Sequence, residues 1–472
     1  MKDLKRILSN QKAELEQLDL ATLCTRKEEQ EIHLNSKLAQ IVIGVRRSGK
    51  STLCQKVLLQ NKVHFAYVNF DDERLRRVSA DDLDTILQEL YVIYGAFTHL
   101  FLDEVQNVNS WHLFVNRLLR QGIKLILTGS NANLLSGELS THLTGRYHQI
   151  ELYPFSFSEY CAIKDVDVQG TTTKAYGLRD RALDEYIMTG GFPELIASPE
   201  INKRNYLFSL REAIIKKDIC QRYKIRYQQT LSDLANRLLD WFCQEKSFND
   251  IAEELGIKSV HTVKNYITYL QNAYLLCLIP KFSLKSSERN SGRKLYAVDN
   301  AFISQHENAL LTESFGLRLE NVVAVELLRR LHSEYEQLYY LRKVQDFEVD
   351  FVVVRVSDSS GDVLNYINHI VIKVDIILLV LILTSSASHN QFPTGIIGKA
   401  HQTFHFHDDK VGSCVVNRNL ADNLKVVSGL GQIVVYIGGF RASGKAGTDE
   451  NENEQEGKNL FHLKYFLSVF VS

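Results

Sequence analysis

Proline is scarce. Only 5 occur in 472 residues, too few for a linker-rich or disordered chain. No C-x-x-C pair occurs among the 7 cysteines (Cys24, Cys54, Cys161, Cys220, Cys243, Cys277, Cys414), which are odd in number and widely scattered. That argues against a disulfide framework or a zinc site and fits reduced thiols in a cytoplasm. Net charge is also lacking. The 55 Lys and Arg against 56 Asp and Glu leave −1, which excludes a wholesale basic coat for nucleic acid and an acidic-tail protein. A local basic patch stays open. The longest apolar run, residues 370–383, is too short to span a bilayer and contains Lys373 and Asp375, so one or two buried strands are expected there. The opening residues MKDLKRILSNQKAELEQL carry charge throughout, unlike a secretory signal. The expectation is a cytoplasmic chain without membrane contact.

At 45% hydrophobic and 24% charged the chain can bury a sizeable core, and at ~150 residues per domain its length suggests about three domains. Helical spacing of Leu4, Ile7, Leu8, Leu15 and Leu18 predicts short amphipathic helices over residues 1–38. Strand-like apolar runs follow at 39–44, 64–70, 98–105 and 123–130, with helical stretches at 51–61, 80–91 and 111–121 between them. Strands alternating with helices predict an α/β fold, a parallel sheet covered on both faces, over residues 39–160. Helices dominate residues 161–227, with one predicted over 203–223.

The sharpest motif is Gly44-Val45-Arg46-Arg47-Ser48-Gly49-Lys50-Ser51, followed by Thr52. It leaves an apolar strand and opens a helix. In a G-x-x-x-x-G-K-[ST] loop the glycines let backbone N–H groups wrap a phosphate. Lys50 reaches the β- and γ-phosphates, and Ser51 offers a hydroxyl to Mg²⁺. Backbone and side chains from Gly44 through Arg47, Ser48, Gly49 and Thr52 complete the expected nucleotide contacts. The strand LFLDE ends in Asp103, expected at the metal, and Glu104, expected to polarise an attacking water. A third strand ends in TGSN, where Asn131 is chosen over Ser130 to hold that water. Arg146 is a cation for transition-state charge, in cis or toward a neighbouring subunit.

With GVRRSGKST, the segments NFDDERL, LDEVQNVNSW, LTGSNANLLSGEL, LTGRY, LYPFSFSEY, GGFPE, KKDICQRYKIR, LENVVAVELLRR and EVDFVV carry a resemblance. The chain resembles the uncharacterised prokaryotic AAA-type P-loop ATPases that carry a C-terminal nuclease-like domain of unknown function. The likeness runs from about residue 40 to 355. It implies ATP binding, hydrolysis with Mg²⁺, and an AAA-type core at 39–160 with a helical lid at 161–227.

Residues 228–305 read as a winged helix. Segments 248–255 and 260–274 have helix-turn-helix proportions, and two strands with a polar turn follow. Ser259, His261, Thr262, Lys264 and Asn265 would face a DNA groove; Lys281, Lys285, Arg289, Arg293 and Lys294 would meet phosphates from the wing. A protein contact or a spacer is the alternative use. Residues 306–400 read as nuclease-like: Glu320 and Asp350 resemble the acids of a PD-(D/E)XK core. Its acid-x-Lys element is degenerate, with Val371 in the acid's place before Lys373, so the expectation is an inactive site. From about residue 357 the likeness to the family is lost, and residues 401–472 read as a divergent, partly disordered tail. They contain His401, His405 and His407 in a run read as a polar loop, and an acidic, low-complexity stretch at 447–458 expected to be disordered.

The function expected is ATP hydrolysis driving or gating the engagement of nucleic acid, a protein partner or a second copy. The alternatives are a slow nucleotide-dependent regulatory or defence switch, and an ATP-powered nuclease.

Overall fold

Four of the five strands in the main sheet are continuous apolar runs, as strands buried on both faces must be. The computed structural model describes residues 3–131, 143, 145–198, 200–283, 292–303, 314–331, 336–343, 347–356 and 367–372. Strands β1 (Ala39–Ile43), β2 (Phe65–Asn69), β3 (His99–Asp103), β4 (Lys124–Gly129) and β5 (Tyr147–Glu151) form one sheet in the order β2-β3-β4-β1-β5. Every pairing in it is parallel. Helices α1 (Leu4–Glu16), α2 (Lys50–Gln60), α3 (Leu83–Tyr94) and α4 (Trp111–Arg120) accompany it. Val42, Leu53, Val57, Phe65, Phe101 and Ile126 build a core between α2 and the sheet. The α/β expectation holds, with strands within one or two residues of their expected bounds. β5 was not expected. Its sequence YHQIE buries only Ile150 fully, because an edge strand lacks a second covered face.

The order has one consequence for the site. Strand β4 lies between β1, which feeds the glycine loop, and β3, which ends in Asp103. Side chains at the end of β4 can therefore touch both.

Beyond the sheet come α5 (Phe157–Ile163), α6 (Thr173–Thr189), α7 (Pro193–Ala197) and α8 (Lys203–Ala213). The single helix expected over 203–223 changes character at Ile214. Residues Ile214–Gln221 form a π-helical segment, a widened turn that is frequent at functional sites. Helices α9 (Gln228–Asp240), α10 (Phe248–Glu254) and α11 (Val260–Asn272) follow. Three short strands, β6 (Glu245–Lys246), β7 (Leu276–Pro280) and β8 (Arg293–Ala297), pair in the order β6-β8-β7. Helices α12 (Asn300–Ile303) and α13 (Ser314–Arg330) come next. Last, β9 (Glu336–Lys343), β10 (Phe347–Val356) and β11 (Ile367–Ile372) make an antiparallel sheet with β10 central and a bulge between Val349 and Val352.

The described residues divide into two compact units, those up to Leu278 with Leu295–Arg329, and Ile279–Lys294 with those from Arg330 to Ile372. The apolar run at 370–383 contributes to β11 as far as Ile372. Lys373, the histidine-rich run, Cys414 and the acidic stretch lie outside the described residues. No helix among the described residues is long and apolar enough to cross a membrane.

One turn fastens the helical region. Gly190 ends α6 at φ +76°, and a Cβ there would lie 1.9 Å from Asp299 Oδ1 and 2.6 Å from the Ala301 nitrogen. Asp299 accepts hydrogen bonds from the Gly191 and Ala301 N–H groups, each at 2.8 Å. Gly190→Ala should therefore cost about 3 kcal/mol in thermal or denaturant unfolding, from strain and overpacking together. Gly177→Ala, in mid-α6 with nothing within 4 Å of the added methyl, should instead gain up to about 1 kcal/mol.

Candidate active site

The loop from Gly44 to Ser51 is shaped by backbone that only some residues tolerate. Gly44 has φ +153°, and a Cβ on it would lie 2.0 Å from the Leu152 carbonyl oxygen. Its buried lysine faces inward: Lys50 Nζ donates to the Gly44 and Val45 carbonyls at 3.1 and 3.0 Å and lies 3.7 Å from Glu104. The Ser48 hydroxyl is buried with no hydrogen-bond partner among the described residues. Ser51 and Thr52 sit half-buried in the first turn of α2. Arg47, at φ 69°, reaches outward to Glu194 at 2.7 Å. Beneath the loop the buried Arg26 donates to the Ser48 carbonyl at 3.3 Å and the Tyr153 carbonyl at 2.9 Å, and its Nε is 2.5 Å from Glu159.

Asp103 is where the strands meet. It is 2% exposed and accepts from three hydroxyls: Ser51 at 2.8 Å, Tyr67 at 3.1 Å, and Thr128. Burial, then the neighbouring Glu104, push its pKa up to about 6 against the pull of those donors.

Glu104 follows at φ 51°, a left-handed conformation that costs a non-glycine residue about 1 kcal/mol or more and tends to mark functional positions. Its N–H donates to Thr128 Oγ1 at 2.9 Å, and Gln106 donates to its carboxylate. The same Gln106 amide lies 3.4 Å from Ser130 Oγ, and Ser130 lies 3.3 Å from Asp218 on the π-helical segment. Asp218 is in turn gripped by Arg46 of the loop, with Nε to Oδ2 at 3.1 Å and Nη2 to Oδ1 at 3.2 Å, while Arg46 Nη1 holds Asp71 at 3.0 Å. Burial raises the Asp218 pKa, and Arg46 opposes that rise.

The chosen strand-end residue Asn131 is buried, its amide 3.5 Å from the Tyr223 hydroxyl. It is Ser130 that joins the Gln106 and Asp218 contacts. Arg146 lies away from the loop. It is exposed, and its carbonyl accepts from the Ala39 N–H at the start of β1. That is the end of β1 opposite the loop, about 15 Å away along a five-residue strand, so it does not act in cis.

Lys264 is exposed on α11, and His261 beside it lies 3.3 Å from Asn265. Ser259 instead caps α11 by accepting from the Thr262 N–H. Arg293 is half-buried on β8. Lys294, expected on an exposed wing, is buried and paired with Asp350 at 2.6 Å, because β8 is buried throughout after Arg293. Lys285 and Arg289 lie outside the described residues. Glu320 and Asp350 fall in different units, and Glu320 accepts from the Tyr296 hydroxyl at 2.7 Å. Among the described residues no three His, Cys, Asp or Glu side chains group as a metal site.

The donor set around the loop suits a magnesium nucleotide. The Ser51 hydroxyl and Asp103 carboxylate are hard oxygen donors of the kind Mg²⁺ takes, one or two per site with phosphates and water supplying the rest. Gly49 leaves the space above α2 open, and Ser48 supplies a buried hydroxyl in need of a partner. Sequence reasoning missed Arg26, Tyr67, Gln106, Thr128 and Asp218. Only Gln106 and Thr128, beside the motifs, carried any local signal.

Residues 36–161 match the family described as AAA domain, and residues 180–311 a domain of unknown function (DUF8612). The chain is 34% identical over 334 residues to the uncharacterized protein MJ1544 of Methanocaldococcus jannaschii, a match covering 68% of this chain and 74% of that one. An uncharacterized protein of Haemophilus influenzae is 32% identical over 326 residues, covering 66% and 78%. Among solved structures, the Walker-type ATPase PABY2304 of Pyrococcus abyssi aligns over 60% of this chain and 95% of its own at 15% identity, with a TM-score of 0.39. That likeness is too loose to carry an argument.

A raised carboxyl pKa has a definite sign in stability. Asp103 contributes most when protonated, below its ordinary value near 4, and that contribution is lost as pH rises through about 6. Without metal or nucleotide, Asp103→Asn should gain on the wild type between about pH 4 and 7, by up to about 3 kcal/mol. Thermal melts of both proteins across that range check it, since other buried acids cancel in the comparison.

Proposed function

We propose that this chain, which belongs to the family of the uncharacterized Methanocaldococcus jannaschii and Haemophilus influenzae proteins and matches an AAA domain over residues 36–161, binds Mg–ATP at residues 44–52 and hydrolyses it. Binding and hydrolysis would be coupled to engagement of nucleic acid or a protein partner. The observation that carries the reading is the contact of Ser51 with Asp103 at 2.8 Å, with Glu104 the next residue along the chain.

Each role follows from chemistry. Backbone N–H groups of the loop and the helix α2 behind them favour a phosphate. Lys50 neutralises β- and γ-oxygens. Ser51 and Asp103 hold Mg²⁺, which when bound withdraws charge from the transferring phosphoryl group. Glu104 accepts the proton of the attacking water, and the end of β4, through Ser130 or Asn131, orients that water. Arg146, exposed at the far end of β1, serves the nucleotide of a neighbouring copy if the chain assembles. We read residues 161–227 as the lid, 228–305 as a winged helix and 306–400 as a nuclease-like domain. Pairing of Asp350 with Lys294 favours a binding role over cleavage in that last domain.

A second reading, a slow switch, has one observation in its favour. Gln106 and Lys50 both approach the Glu104 carboxylate, a restraint to be broken before Glu104 takes a proton.

Steady-state ATP turnover, with and without duplex DNA, separates these readings. Lys50→Ala should lose both binding and turnover. Glu104→Gln should keep ATP affinity and lose about 100-fold or more in kcat. Wild-type turnover no faster than that of Glu104→Gln, under either condition, would leave the switch. Gln106→Ala, which frees one restraint on Glu104, should change kcat while shifting ATP affinity by less than about threefold.

A further inference from the structure

We propose that residues 216–227 form a contact for the phosphate backbone of duplex DNA whose occupancy is linked to the nucleotide site through Asp218 and Tyr223. The proposal rests on the reading of residues 44–52 as an ATP site, and it adds a DNA-contacting surface and the residues that couple it.

The segment reads KKDICQRYKIRY, five basic residues and one acid. The acid, Asp218, is turned inward: it is 4% exposed and held by Arg46. Lys216, Lys217, Lys224 and Arg226 are exposed, and Glu212 pairs with Lys216 at 2.7 Å. Tyr227 is 62% exposed, with the Arg226 guanidinium 5.5 Å from its ring. In a chain of net charge −1, a face of this sign is a local construction. Phosphates are its chemical complement, and an aromatic ring among the cations suits a sugar or base edge. The π-helical part of the segment packs against α11, which exposes Lys264 and His261. A helix at that place in a helix-turn-helix enters a major groove while neighbouring cations take the backbone, so a duplex fits better than a single strand.

The inner face of the same segment touches the nucleotide machinery. Asp218 contacts Arg46 of the loop and Ser130 at the end of β4. Tyr223 stacks on Tyr269 of α11 at 3.8 Å between ring centroids, inclined 14°. Its hydroxyl lies 3.5 Å from the Asn131 amide and 3.4 Å from that of Asn272. One short segment thus bears on the loop, the strand end and the groove-facing helix. A ligand that shifts it at one face must bias it at the other, and the linkage is reciprocal.

Fluorescence anisotropy with a duplex of about 20 base pairs, long enough for two major-groove turns, tests both parts across a salt series. The triple variant Lys217→Gln, Lys224→Gln, Arg226→Gln should flatten the slope of log affinity against log salt by about 2 to 3 and weaken binding about tenfold or more at low salt. An unchanged slope, or tighter binding of single-stranded RNA at every salt, overturns the contact. A non-hydrolysable Mg–ATP analogue should change wild-type DNA affinity about fivefold or more. Tyr223→Phe, which keeps the ring stack and removes the hydroxyl, should bring that ratio close to 1 with both separate affinities retained. The wild-type ratio persisting in both Tyr223→Phe and Asp218→Asn overturns the linkage. Analogue affinity, titrated on the same samples, keeps the failures apart: a wild type that binds no ATP sinks the nucleotide reading and the linkage, while the salt slopes still judge the DNA contact.

Discussion

Everything at this site hangs on a carboxylate that has been taken out of water. Asp103 is buried, and a buried charge must be paired or hydrogen-bonded to be tolerated. It is met by three hydroxyls from three elements, Ser51 on α2, Tyr67 on β2 and Thr128 on β4. Those bonds do two things at once. They fix the helix that follows the loop against three strands, and they gather hard oxygens around a buried carboxyl. Burial first, and the neighbouring Glu104 second, push its pKa up to about 6 against the pull of those three donors.

Around this centre the loop divides its labour between backbone and side chains. The backbone of residues 44–51 is curved by Gly44 and by left-handed Arg47 and Gly49, which aims N–H groups at one point. The two variable arginines point elsewhere. Arg46 goes to Asp218 and Asp71, and Arg47 goes to Glu194. The loop that would hold a phosphate is thus also the loop that holds the start of β2's outgoing turn, the π-helical segment and α7. Interaction energies of this kind are not additive between neighbours, so a charge arriving in the loop is felt through Arg46 by whatever Asp218 supports.

How much of this was legible in the sequence depended on range. β1, β3 and β4 announced themselves because strands covered on both faces are apolar throughout. β5 did not, because Tyr147, His148, Gln149 and Glu151 are the residues of an edge. Gly44 to Ser51 and the Asp103–Glu104 pair were legible because their chemistry needs neighbours in sequence. Asp218 was not: it meets Arg46 across 172 positions and Ser130 across 88, and nothing in KKDIC marks which residue turns inward. Lys294 failed for the same reason in reverse. A lysine among basic residues reads as solvated, yet it lies on a strand buried almost throughout and pairs there with Asp350.

Burial also decides what a balanced chain shows to its surroundings. With nearly equal numbers of acids and bases, the sign of any face is set by which member of each pair is turned in. At residues 216–227 the acid is turned in and answered by an arginine from another element, so Lys217 and Lys224 stay exposed without it, while Lys216 pairs with Glu212. Had Asp218 paired with Lys217 or Lys224 on the surface, it would have cancelled one of the five basic charges of the segment. The ion pair between Arg46 and Asp218 is therefore not interchangeable with a surface salt bridge of the same composition, which would contribute little to stability and remove one exposed cation from that face. Its placement sets the charge of the outer face and ties the inner one to the loop, so a change in the loop that loosens Arg46 from Asp218 alters both the position and the charge of the surface above it.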